Sequence, residues 1–482
     1  MLLTIILLYF AVLTAYSRIV TGRNATNDTF FRGNRKSPWY MVAFGMIGAS
    51  VSGITFVSVP GMVMKTDMTY LQTCMGFIFG YLAVAFILLP VYYRLNLTTI
   101  YSYLKDRLGL RSYKTGAVFF VLSKLTGAAA RFYVVCIMLQ TFVFDEYGIP
   151  FFVTVIGMVS LIWIYTRSGG IKTLVWTDTL QTICIFTALS LIIYNVAGQL
   201  DMTLPEAFRA VWEDSHSRIF LFDDFMSRQN FWKQFLSGIF IVIVMTGLDQ
   251  DMMQKNLTCR TLHDAQKDMS LYGIAFLPAN LLFLSLGVML MMLTSRLGMA
   301  LPDNGDELLP MFAATGILGT PVLIFFTIGL MAASFSSADS ALTALTTTWC
   351  VDMAERADDE RLRHRVHILM ALAFTACILL FEAFHSTSLI DAIYVMCSYT
   401  YGPLLGLFAF GLVTHRSVND RCVPYIAVAS PLLCFALDSL TTHAFGYRFG
   451  YELLMLNGLI TFMGLYFSGI SRHPQNRTKQ IT

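Results

Sequence analysis

The chain has 482 residues, 56% of them hydrophobic and 13% charged, and a formal net charge of +3. Soluble domains carry roughly 25% charged residues, so lipid is the solvent for most of this chain and no separate soluble domain has room to exist. Lys and Arg lie in short clusters between apolar windows, which argues for membrane topology and against nucleic-acid binding.

A helix needs about 20 mainly apolar residues to cross the hydrocarbon core, and windows of that kind recur from end to end. The first, 2–18, has no basic residue before it and no small-x-small cleavage site after it, so it reads as a retained helix and not a signal peptide. The second, 38–63, contains Ile47-Gly48-Ala49-Ser50-Val51-Ser52-Gly53-Ile54-Thr55 and then Pro60-Gly61. Glycines and hydroxyls at that depth predict an unwound stretch, which membranes tolerate only where backbone lines a cavity, and freed carbonyls there are cation ligands. A close crossing of small residues is the alternative. Span 69–93 follows, and then 115–142, where Lys124 and Arg131, seven apart, share one helical face. Lys124 snorkels or pairs with an acid. Arg131 lies deeper, where a guanidinium must find an anion: a protein acid such as Asp249 or a substrate carboxylate.

Spans 150–166 and 173–198 come next, the latter carrying Asp178 just inside the membrane, where a carboxylate is costly and usually functional. The segment from Asp201 to Arg228 predicts a short amphipathic surface helix. After spans 230–248 and 269–295, span 321–350 holds Ala332-Ala333-Ser334-Phe335-Ser336-Ser337-Ala338-Asp339-Ser340. Ala333, Ser336, Ser337 and Ser340 share one face, and two serine hydroxyls with backbone carbonyls make a neutral oxygen cage suited to sodium. Asp178 and Asp339 serve a function at that depth or pair with a nearby Lys or Arg for folding alone. Spans 366–384, 388–413, 422–440 and 449–470 complete about thirteen crossings.

Basic residues crowd alternate loops, among them Arg32, Arg35 and Lys36, then Lys105 and Lys114, then Lys255, Arg260 and Lys267, then Arg361 and Arg363. Such loops stay cytoplasmic, which puts the N-terminus outside and the C-terminus inside. His364, His367 and His415 fall in these loops and read as solvated. The Asn-x-Thr triplets at Asn24 and Asn27 fall on the same side and read as chance matches. The nine cysteines show no paired spacing and read as small core residues.

The order of these fragments resembles the sodium:solute symporter family. They are Ser52-Gly53 with Pro60-Gly61, Tyr165-Thr166 and Gly169-Gly170 leading to Trp176-Thr177-Asp178-Thr179-Leu180-Gln181, Asp249-Gln250 with Gln254-Lys255, Ala333 to Ser340, and Tyr401-Gly402-Pro403-Leu404-Leu405-Gly406. The resemblance implies an all-α integral membrane protein of the LeuT type, with two inverted five-helix repeats. It divides the chain into an extra N-terminal helix and loop (1–37), a transport core (38–413) and two C-terminal helices with a tail (414–482). It implies sodium on the carbonyls of Gly48, Val51 and Ala333 and the hydroxyls of Ser336 and Ser337. Members with two sodium ions hold the second on the aspartate matching Asp178 and a serine that is Ala333 here, while Asp339 stands where relatives carry Ser or Thr and is expected to restore a second cation site with Asp178 or to take up a proton.

By the same resemblance, Arg131 matches the arginine that holds the substrate carboxylate in sialic acid transporters, with Ser50, Ser52, Thr55 and Tyr70 around it. The pocket glutamine of those transporters falls on Cys74, beside Gln72 and Thr73. The expected activity is sodium-coupled symport of a small organic anion, with a neutral sugar or amino acid as the alternative substrate and a membrane solute sensor as the alternative class. The protein is expected to be no enzyme, to need no cofactor beyond sodium as coupling ion, and to work as a monomer in the plasma membrane.

Overall fold

The computed structural model describes residues 2–21, 26–167, 169–314, 316–383, 389–447 and 449–469, those at 142, 314 and 389–395 by backbone alone. Arg23, Asn24 and the tail from residue 470 lie outside them. The described chain is helical: α1 (Leu2–Thr21), α2 (Asn27–Arg32), α3 (Trp39–Ser50), α4 (Gly53–Thr66), α5 (Tyr70–Ala83), α6 (Leu89–Arg94), α7 (Ser102–Arg107), α8 (Leu110–Leu139), α9 (Phe151–Thr166), α10 (Ile171–Gln199), α11 (Leu204–Glu213), α12 (Phe231–Val242), α13 (Gln250–Asn256), α14 (Leu262–Arg296), α15 (Leu308–Ala314), α16 (Thr320–Thr348), α17 (Glu360–Ala383), α18 (Leu389–Val413), α19 (Val423–Phe445) and α20 (Leu453–Ser468). Among the described residues, nine helical stretches are long and apolar enough to cross a membrane, or ten with the bent pair α12–α13. The shorter apolar helices α3, α9 and α20 come in addition.

Two spans are broken, and the breaks position the site. Between α3 and α4 the backbone leaves the helix at Val51 and Ser52, and the Ser52 side chain caps α4 by accepting from the Thr55 N–H. The Ser52 N–H turns to the Ser50 carbonyl and the Thr55 N–H is taken by the Ser52 hydroxyl. Neither amide therefore uses the carbonyl four residues before it, so those of Gly48 and Val51 are released. The second break lies between α12 and α13, where the axis bends by 70° and Asp249 caps α13.

Small residues bring the helices together. A Cβ at Gly48 would overlap the Thr182 hydroxyl on α10, one at Gly53 the Ser334 hydroxyl on α16, and one at Gly402 the Asn457 side chain on α20. This explains the glycines of two family fragments as sites of close helix approach. Gly170, which precedes α10, has a φ of +48° and faces Phe30, a conformation that side chains rarely adopt.

Buried polar and charged groups are set within an otherwise apolar interior, and outward positions of the spans are apolar. Tyr425, Leu432 and Phe435 on α19 are exposed, while Asp178, Gln181, Lys255 and Asp339 are buried. The predicted surface helix is α11, with Thr203 and Glu206 forming a reciprocal cap at its start.

Three expectations are corrected. Lys255 and Arg363, read as loop residues that mark the cytoplasmic side, are buried. His367, read as solvated, is buried in α17 with its ring nitrogens against the hydroxyls of Thr166, 3.0 Å away, and Thr346, 2.9 Å away.

Candidate functional site

At the α3–α4 break, α16 presents the predicted serine pair. The Ser337 hydroxyl donates to the Ala49 carbonyl at 3.0 Å and to the Ala333 carbonyl at 3.3 Å. The Ser336 hydroxyl donates to Asp178 Oδ1 at 2.6 Å. Its proton is thereby directed at α10, and its lone pairs are left for a cation. The same face of α10 carries α3, since Thr182 donates to the Phe44 carbonyl at 3.1 Å and a Cβ at Gly45 would stand 3.1 Å from the Asp178 Cβ. The released carbonyls of Gly48 and Val51, the Ala333 carbonyl and the two hydroxyls supply neutral oxygens from α3, the break and α16.

Asp178 has a further partner, for its Oδ2 lies 2.8 Å from the Lys255 Nζ. Asp339 accepts from the Tyr165 hydroxyl at 2.8 Å and from the Ser340 hydroxyl at 3.2 Å. The fragments Tyr165-Thr166 and Gln254-Lys255 thus serve the acids of α10 and α16. Gln254 also ties α13 in place by donating to the Phe31 carbonyl at 2.9 Å and to Thr347 at 3.0 Å.

Beside this cage is a cavity of about 120 Å³. Of the expected substrate residues, Ser50, Ser52, Thr55, Tyr70, Arg131 and Asp249 line it, together with Ser336 and Ser337. Thr73 does not. It is buried, with its hydroxyl on Gln234, and Gln72 is spent on the Gln229 carbonyl at 2.9 Å and the Leu221 N–H at 3.1 Å. Ser50 is hydrogen-bonded to the Tyr272 hydroxyl, which accepts from Tyr81 at 2.7 Å.

The charges in the cavity are paired differently from the expectation. Asp249 does not meet Arg131. It lies 3.1 Å from Lys124, whose ammonium also lies 2.6 Å from Asp251, and it accepts from the Tyr401 hydroxyl at 2.7 Å. Arg131 lines the cavity and makes no hydrogen bond or ion pair with any described side chain, a set that leaves out Asp391 of α18. Asp251, Tyr272 and Tyr401 were not singled out as site residues from the sequence. Only Tyr401, as part of its fragment, carried a signal there.

A profile of the sodium:solute symporter family matches residues 30–421. The sodium/sialic acid symporter NanT of Aliivibrio fischeri is 24% identical, over 88% of this chain and 85% of its own. SiaT of Proteus mirabilis, also a sodium/sialic acid symporter, is 23% identical over 87% and 86%. The solved structure of a sodium-coupled sialic acid symporter, substrate-bound and outward-open, superposes with a TM-score of 0.81 at 19% identity and covers 97% of both chains, a likeness of fold. A nucleobase-cation symporter in a closed conformation gives a TM-score of 0.58 at 14% identity, over 92% and 94%. With a profile match over most of its length, the chain belongs to the sodium:solute symporter family.

Proposed function

We propose that this symporter couples inward sodium movement to that of a small organic anion of the acidic-sugar or carboxylate class. Sodium binds the carbonyls of Gly48, Val51 and Ala333 and the hydroxyls of Ser336 and Ser337. The solute occupies the adjacent cavity, its carboxylate on Arg131 and its hydroxyls among Ser50, Ser52, Thr55 and Tyr70. The observation that carries the anionic reading is the charge pairing: Lys124 is matched by Asp249 and Asp251, while Arg131 faces the cavity with no acid paired to it among the described side chains. A planar guanidinium offers a carboxylate two parallel hydrogen bonds. The relatives named as sialic acid symporters fit this class.

Coupling follows when sodium favours one conformation. Sodium ligated by both α16 and the α3–α4 break holds the two together and fixes Ser50 and Ser52, so each ligand raises the affinity for the other. The reading places about thirteen crossings in the plasma membrane, with the N-terminus outside, the C-terminus inside and a monomer as the working unit.

The test is a thermal-shift screen of purified protein against acidic sugars, monocarboxylates, amino acids and neutral hexoses, with sodium or potassium, because ligands of the native state stabilise it. An acidic sugar or carboxylate that stabilises only in sodium, and then accumulates in proteoliposomes under a sodium gradient, is the expected outcome. Stabilisation by neutral hexoses alone overturns the anionic reading.

A further inference from the structure

We propose that the Lys255 ammonium is a built-in cation that takes the place of a second coupling ion at Asp178 and Asp339, leaving this symporter with one sodium per chain. The inference rests on the Ser336 and Ser337 cage as the sodium site.

The two acids come from different helices, α10 and α16, and both are buried at membrane depth. A cation entering between them needs their oxygens. On Asp178, Oδ1 accepts from the Ser336 hydroxyl at 2.6 Å and Oδ2 is ion-paired with the Lys255 Nζ at 2.8 Å, so a positive charge already stands at this carboxylate. The Lys255 ammonium also acts electrostatically on Asp339, whose oxygens accept from Tyr165 and Ser340. A further monovalent ion there would stand beside a buried ammonium, and like charges that close in a poorly screened interior repel each other. Nor is the lysine free to leave. Its helix, α13, is short and held on both sides, by Gln254 on Phe31 and Thr347 and by Asp249 and Asp251 on Lys124.

The charge balance gives the same count. With both acids ionised, and counted apart from the Lys124, Asp249 and Asp251 cluster, Asp178 and Asp339 supply two negative charges and Lys255 one positive, so a single sodium in the adjoining cage completes the match. Buried charges are stable when matched, and a second sodium would leave one positive charge in excess. Asp339, placed where relatives carry Ser or Thr, is then the counter-charge for the one sodium that binds, and Lys255 sets the number of ions.

Equilibrium binding of sodium-22 to the purified protein without solute tests this. Wild type binds one ion per chain. Lys255→Gln frees Asp178 and Asp339 and binds two, and Lys255→Gln with Asp178→Asn returns to one. Two ions on wild type, or one on folded Lys255→Gln, overturns the inference while leaving the cage intact. No ion on wild type defeats the cage assignment itself, a different result. Where Lys255→Gln does not fold, wild type and the charge-free pair Lys255→Met with Asp178→Leu carry the test: each binds one ion, and two on either overturns it.

Discussion

The Ser337 hydroxyl lies 3.0 Å from the Ala49 carbonyl, so α16 touches the broken span within one residue of Gly48. That contact joins two segments far apart in the chain at the place where backbone carbonyls have lost their helical partners. A monovalent cation there would bridge both elements, and its loss would let them part.

The serine pair is expected to set the sodium affinity. Ser336→Ala and Ser337→Ala each delete one cage oxygen, and each should raise the sodium needed for half-maximal uptake into proteoliposomes. Ser336→Ala also removes a hydrogen bond from buried Asp178, so its melting temperature should fall further than that of Ser337→Ala. Uptake insensitive to both substitutions, or equal in potassium, sinks the assignment.

Gly48→Ala should damage sodium binding by displacement, because its Cβ would overlap the Thr182 hydroxyl and must push α3 from α10. Overpacking of this kind costs about 1–3 kcal/mol. Adding Thr182→Ala makes room and should restore much of the lost sodium affinity. If the double variant is no better than Gly48→Ala, the close approach of these helices is not what the glycine serves.

The network of Lys124, Asp249 and Asp251 should behave as a buried ion cluster. Lys124→Met leaves two acids facing each other, and breaking a buried pair costs about 3–5 kcal/mol, so folded yield and melting temperature should drop sharply. Lys124→Met with Asp251→Asn removes one charge of each sign and should recover part of the loss. Equal melting temperatures for wild type and Lys124→Met would show that the cluster contributes nothing to the fold.

These cases show what the sequence could and could not convey. Gly48, Gly53 and the serine pair were legible because glycine and hydroxyl clusters inside an apolar window have few physical reasons to exist. The break at Val51 and Ser52 followed from the same composition. Lys255 was misread because a lysine between apolar windows and next to Arg260 looks like a marker of topology. Its burial depends on α13 bending inward after Asp249 to reach Asp178, a contact made by tertiary packing alone. The same limit applied to Lys124 and Arg131: one helical face was readable, but which of the two meets Asp249 depends on where α13 sits against α8. Thr73 shows the converse, a polar residue in the right stretch whose hydroxyl is used to hold α12.

At the predicted cytoplasmic end, Glu355 receives Lys105 at 3.0 Å and Lys114 at 2.6 Å, both partly exposed, and links the α7–α8 region to the end of the α16 span. Hydrogen bonds from the two ammonium groups hold its carboxyl at about 2, below its ordinary 4.5. A depressed acid stabilises the folded state above its unfolded value and loses that contribution as pH falls through the folded one. The difference in melting temperature between wild type and Glu355→Gln should therefore be constant from pH 5 to pH 8. It should shrink in about 1 M salt, where the screening length is roughly 3 Å. A difference that changes with pH over that window, or resists salt, contradicts an exposed latch of this kind.

Arg131 is expected to decide the charge of the solute. The pairing of Lys124 with Asp249 and Asp251 leaves the guanidinium as the cation in the cavity with no acid paired to it among the described side chains. Arg131→Lys keeps the charge but loses the planar two-pronged donor, and losing a hydrogen bond to a charged group costs about 1.5–3 kcal/mol. Solute affinity should fall by about ten- to a hundredfold, and further in Arg131→Ala. Sodium-22 binding without solute should stay near wild type in both, since the cage of Gly48, Val51, Ala333, Ser336 and Ser337 contains no atom of Arg131. That separation of solute affinity from sodium affinity is what a structural role would not produce, because a guanidinium holding helices together would move both when removed. Normal transport by both variants, or a preferred solute that proves to be a neutral sugar, removes the carboxylate from Arg131 and with it the anionic reading.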